Sequence, residues 1–155
     1  PWRDSGLGII HDLGTHLVDI IEFWFKKKIN YKLVAKDNFE NKSPDHAILI
    51  SKTKSPLIRL EMSMCRWKND LDCEIIGSKG LLKMNSLCKW GPSVLTLQKR
   101  VLPSGRPMEK IITIKKKDPT WALEQKHFED LIRLKKKNNL EKDIYISKTL
   151  KSINR

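Results

Sequence analysis

Asp12 and His16 stand four residues apart in the run Ser5-Gly6-Leu7-Gly8-Ile9-Ile10-His11-Asp12-Leu13-Gly14-Thr15-His16-Leu17-Val18-Asp19. On a helix, residues at that spacing share one face and can touch. A carboxylate beside an imidazole fixes the ring tautomer and raises its basicity, which suits general acid–base chemistry near neutral pH. Asp19 follows on nearly the same side. Gly14 is the odd residue, since a glycine inside a helix costs ~1 kcal/mol relative to alanine. The spacing therefore predicts close approach at Gly14 by a ligand or another backbone. His11 lies one position off the Asp12/His16 line and has no evident partner. Spacing alone leaves a second reading open, in which these are ordinary boundary residues of an amphipathic helix. A metal site is not expected: Asp-x-x-x-His supplies only two ligands, and His46 and His127 lack supporting spacing.

The elements that must position these residues follow from periodicity. Ile9, Ile10, Leu13, Leu17, Ile20, Ile21 and Trp24 recur at three- and four-residue intervals, which predicts a helix over 5–25 with Ser5 as N-cap and an end near Lys26–Lys28. Beyond Ile29 the period changes to two. Tyr31, Leu33 and Ala35 alternate with polar or outward residues, Asn38 to Pro44 reads as turn, and Ala47–Thr53 and Leu57–Cys65 read as half-buried antiparallel strands. Asp72–Ile76 and Gly80–Met84 flank Gly77-Ser78-Lys79, a hairpin signal. Val94–Val101 and Ile111–Ile114 complete about seven strands, with a loop at Pro103–Pro107 between them. After Asp118-Pro119 the helical period returns from Trp121 to Leu134, and a last helix is predicted from about Asp143 to Ile153. Trp67 and Trp121 are expected in the core. A helix, a run of strands and two further helices indicate α+β: an open, mainly antiparallel sheet with helices on one face. The other face is then a natural surface for a homo-oligomer, with a dimer expected.

Size and composition bound the function. The 155 residues fit one domain, and 39% hydrophobic residues with five Trp are enough for a core. The net charge of +13 raises the alternative of a basic nucleic-acid-binding domain. The three lysine triplets at 26–28, 115–117 and 135–137 are far apart, however, and no nucleic-acid motif accompanies them, so a solvated lysine background is favoured and a nucleic-acid partner is not. Cys65, Cys73 and Cys88 are odd in number and widely spaced, with no Cys-x-x-Cys pair, which argues against a disulfide framework or structural zinc and for a reducing, cytoplasmic setting. No apolar run approaches the ~20 residues that span a bilayer, so no membrane partner is expected. The chain opens on Pro1 without an initiator Met, which reads as a piece of a longer protein.

The segment Trp2-Arg3, then Gly6-x-Gly8-x-x-x-Asp12-x-Gly14-x-His16-x-x-Asp19, resembles the start of the C-terminal domain in the glucose–fructose oxidoreductase / inositol dehydrogenase (Gfo/Idh/MocA) family. Ile75-Ile76-Gly77-Ser78-Lys79-Gly80 is similar to that family's strand–glycine hairpin. Trp121 to Ile132, with Glu124 and Phe128, is similar to the helix after its sheet. The resemblance implies an open antiparallel sheet that binds substrate and forms oligomers, joined to a Rossmann domain for NAD or NADP. It implies that His16 exchanges a proton with a substrate hydroxyl while hydride moves to or from nicotinamide, and that Asp12 contacts the substrate or orients the histidine. Arg3, Thr15 and Lys89 are the candidate substrate contacts, and Gly14 is the candidate cofactor contact. The implied substrate is a small sugar, sugar derivative or polyol.

Two departures stand out. Leu7 occupies a position where glycine is common, and the cofactor half is missing: no Gly-x-Gly-x-x-Gly follows a strand, and the Glu-Lys-Pro segment is absent. The 155 residues are therefore expected to be a single substrate-binding and oligomerisation domain, inactive alone. The remaining alternative is a non-catalytic ligand-binding or dimerisation domain.

Overall fold

In the computed structural model, residues 6–86, 91–135 and 138–153 are described. Ser5, expected as a cap, and Arg3 and Lys89, expected as substrate contacts, lie outside them. The order is as the periodicity predicts: α1 (Ile9–Phe25), β1 (Tyr31–Asp37), β2 (His46–Ser51), β3 (Arg59–Ser63), β4 (Asp72–Gly77), β5 (Gly80–Asn85), β6 (Ser93–Lys99), β7 (Glu109–Ile114), α2 (Thr120–Arg133) and α3 (Leu140–Ser152). The class is α+β, and both sheets are antiparallel and open. The strands form two sheets, β1-β2-β3 and β4-β5-β6-β7, where one was expected. The break falls at residues 64–71, where no ladder joins β3 to β4. Met64 donates its N–H to the Asp45 carbonyl, and Arg66 pairs with Asp70 at 3.2 Å. The chain divides into two compact units, residues 1–65 with 137–155 and residues 66–136.

The first unit holds the buried core. On β2 the alternation is strict, with Ala47, Leu49 and Ser51 inward. The register places Ala47 opposite Met62 and Leu49 opposite Leu60, so β3 presents the same face. Ile9, Ile10, Val18 and Ile21 of α1 close over it, with Ile146 and Leu150 of α3 alongside. Burying each such aliphatic side chain contributes ~1.5–3 kcal/mol. The expected alternation Tyr31/Leu33/Ala35 fails at its third member. The register shifts between Leu33 and Ala35, so Val34 is the extra residue of a bulge and Ala35 is exposed.

The second unit is a four-stranded meander. Gly77 pairs with Gly80 across the Ser78-Lys79 turn, as the hairpin signal predicts. Gly80 has to be glycine, because a Cβ there would overlap the Gln98 carbonyl oxygen. Opposed residues share a face, so Cys73, Met84, Leu95 and Ile112 form one apolar row and Ile75, Leu82 and Leu97 the next. All of these residues are half-buried or exposed. No side chain of α2 is buried. The two tryptophans expected in the core are therefore surface residues: Trp121 is 81% exposed on α2, and Trp67 lies fully out in the polar link after β3. Among the described residues no element packs over either of them.

Candidate functional site on the first helix

α1 begins at Ile9, four residues later than its apolar spacing suggests, because Gly8 turns the chain with φ 49°. A Cβ on Gly8 would overlap the Pro44 carbonyl oxygen, and that same oxygen accepts the N–H of Ile9 at 2.8 Å. The helix N-terminus is thus docked on the β1–β2 loop. Asp45 in turn makes that loop rigid. Its carboxylate is fully buried and accepts the N–H groups of Phe39, Glu40 and Asn41 at 2.9, 2.7 and 3.1 Å, with Asn41 Nδ2 at 3.3 Å. Burial alone would push this carboxyl up, but the four donors outweigh it and hold it down to about 2.

The middle of the helix is held through Gly14, which is buried. A Cβ there would meet Leu150 Cδ2 at 3.4 Å and Met62 Sδ at 3.5 Å. These are ordinary van der Waals distances to side chains of α3 and β3, not the approach of a backbone that would require glycine at this position. Farther along, Asp19 forms an ion pair with Lys142 Nζ of α3. At the far end, the Tyr145 hydroxyl accepts from Ile29 N–H at 2.7 Å and donates to the Ile29 carbonyl at 2.9 Å, fixing the exit from the helix.

On this anchored rod Asp12 is half-buried and His16 exposed, one helical turn apart. Thr15, expected at the substrate, donates its hydroxyl proton to the Asp12 carbonyl at 2.6 Å, leaving its oxygen as an acceptor. His11 is exposed on the neighbouring strip of the helix. The arrangement offers an imidazole at a surface, a carboxylate one helical turn before it, and a support anchored to the β1–β2 loop and α3. That is the equipment for moving a proton to or from a bound hydroxyl. Nucleophilic chemistry by the described cysteines is disfavoured. Burial pushes both thiols up, and for Cys65 the charges of Asp45 and Glu40 add to it.

Asp45 and Lys142 were not apparent from the sequence. Asp45 binds amides four to six residues before it, a pattern that no helix-cap signature describes, and Lys142 reaches a partner more than a hundred residues away. Among the described residues no group of three His, Cys, Asp or Glu is placed to hold a metal ion, and no helix is long and apolar enough to cross a membrane.

A dinucleotide needs a glycine-rich strand-to-helix turn whose free N–H groups face the pyrophosphate. The one Gly-x-Gly that precedes a helix here is Gly6–Gly8, and the first helical N–H beyond it is taken by Pro44. Among the described residues this turn therefore offers no free pyrophosphate cradle at the start of α1, and the chemistry considered for the helix is the proton side alone.

No curated protein and no solved structure matches the chain. Residues 1–83, more than half of the 155, match the family model of the GFO/IDH/MocA C-terminal domain. That span carries α1, the whole three-stranded sheet and the hairpin turn at Gly77–Gly80. With the α+β order and the Asp12/His16 helix in place, the chain belongs to the C-terminal domain family of the Gfo/Idh/MocA oxidoreductases.

Proposed function

We propose that this chain is the substrate side of a cytoplasmic, NAD- or NADP-dependent oxidoreductase that interconverts a hydroxyl and a ketone on a sugar, a sugar derivative or a polyol. One observation carries the reading: a carboxylate and an open imidazole lie one turn apart on a helix fastened at its start, middle and exit. His16 accepts the proton of the substrate hydroxyl during oxidation and returns it to the carbonyl oxygen during reduction. Asp12 orients the ring or the substrate, and Thr15 offers an acceptor beside them. The nicotinamide supplies the hydride chemistry, and on this reading its nucleotide is held by a separate Rossmann domain, so the 155 residues are inactive alone.

The test uses this chain joined to its dinucleotide-binding domain. Replacing His16 by Ala lowers kcat/KM for the sugar or polyol about 10²–10⁴-fold, the usual worth of a positioned acid–base group. Added imidazole restores part of the loss. Unchanged turnover in that variant, with either NAD or NADP, would sink the proposal.

The apolar rows of β4–β7 support a second element of the reading. Cys73, Ile75, Leu82, Met84, Leu95, Leu97 and Ile112 form a contiguous face that no helix of their unit covers. A surface of this kind fits self-association of two copies.

A further inference from the structure

α1 and α3 run antiparallel, since Gly14 packs on Leu150 while Asp19 pairs with Lys142. Between them lies a groove of about 310 Å³. Its floor is apolar, made by Ile146 and Leu150, which are 7% and 1% exposed. Its walls are polar. Asp143, Ser147 and Lys151 recur every four residues and so form one row along α3, while His11 and Thr15 face them from α1. None of the side chains of His11, Asp143, Ser147 or Lys151 is used in a hydrogen bond or ion pair among the described residues.

The two ends of the groove differ in charge. Because the helices are antiparallel, His11 lies toward the end of α3 that carries Lys151. Asp143 lies at the opposite end, near the Asp19–Lys142 pair. An apolar floor with a few converging polar groups is the usual build of a small-molecule site, and the volume falls at the small end of the ~300–1,000 Å³ such sites span.

We infer that this groove binds a small polyol carrying one anionic group, a carboxylate or a phosphate. The anion sits on Lys151 and His11, where a charge-assisted hydrogen bond is strongest. Hydroxyls donate to the Asp143 carboxylate and exchange hydrogen bonds with Ser147. The carbon skeleton lies over Ile146 and Leu150. A neutral sugar has no use for Lys151, and a bare anion has none for Asp143, so the two ends together select the class. The groove shares Thr15 with the Asp12/His16 site, but its ligand class is argued from Lys151, His11, Asp143 and Ser147 and does not depend on the redox reading.

The experiment is titration of the 155-residue chain with D-glucuronate, D-glucose 6-phosphate, D-glucose and inorganic phosphate, following the His11 ring resonances by NMR. One or both anionic sugars shift those resonances and bind about tenfold more tightly than glucose or phosphate. Which of the two does so identifies the anion. The Lys151→Gln variant, at an exposed position that leaves the fold intact, binds them about tenfold more weakly, and His11→Gln weakens them as well with the Lys151 signal as readout. The inference is overturned if neither anionic sugar moves the His11 signals, if glucose or inorganic phosphate binds as well as they do, or if Lys151→Gln binds them with unchanged affinity.

Discussion

Replacing Asp45 by Ala tests the claim that the β1–β2 loop fixes the start of α1. The wild-type carboxylate accepts three backbone N–H bonds of 2.7–3.1 Å and one longer side-chain bond. Hydrogen bonds to a charged group contribute ~1.5–3 kcal/mol each, but the three amides belong to exposed residues that water can reach after the change. Losses at one shared acceptor are also not additive. The net cost is therefore about 2–4 kcal/mol, measured by urea unfolding at neutral pH. Asp45→Asn keeps an acceptor and loses the charge, so it costs less, about 1–2 kcal/mol. The acid dependence follows from the depressed carboxyl. Its contribution is complete above the ordinary carboxylate range near 4 and disappears as the pH falls toward about 2. Wild type accordingly loses stability over that window by an amount that Asp45→Asn lacks. Because Pro44 precedes Asp45 and holds Ile9, hydrogen exchange of the Ile9–Asp12 amides also quickens in Asp45→Ala. A variant as stable as wild type within about 0.5 kcal/mol, or an acid slope unchanged in Asp45→Asn, refutes the reasoning.

Gly8→Ala is expected to destabilise the first unit by about 2–3 kcal/mol, because it combines a positive φ with overlap on the Pro44 carbonyl; thermal unfolding at equal protein concentration reads this directly. Leu95→Glu places a charge at the centre of the apolar face of β4–β7 and shifts sedimentation to the smaller species, whereas an unchanged mass would place the self-association surface elsewhere.

Much of the fold was legible because burial leaves a local record. The three- and four-residue spacing from Ile9 to Trp24 marks α1, the strict alternation in Ala47–Ser51 and Leu60–Met62 marks β2 and β3, and Gly77–Gly80 marks a tight turn. The placement of Asp12 and His16 one turn apart on α1 was equally legible, since it depends only on helical spacing. The division into two sheets was not legible. The alternating pattern says which face of a strand is apolar but not which strand lies beside it, and residues 64–71 read like any other connection.

The sequence alone therefore determined the order and type of the elements, the α+β class, the family resemblance and the placement of Asp12 and His16 on one helix. Only the tertiary structure decided what each of these rests on. It set Gly8 and Ile9 against Pro44, Gly14 against Leu150 and Met62, and Asp19 against Lys142. It also put Asp45 under the loop, let Val34 bulge out of β1 and left Trp67 and Trp121 exposed. The reason is the same throughout. Periodicity is fixed by a residue's near neighbours along the chain, whereas docking, close approach and exposure are fixed by partners brought together only when distant segments pack.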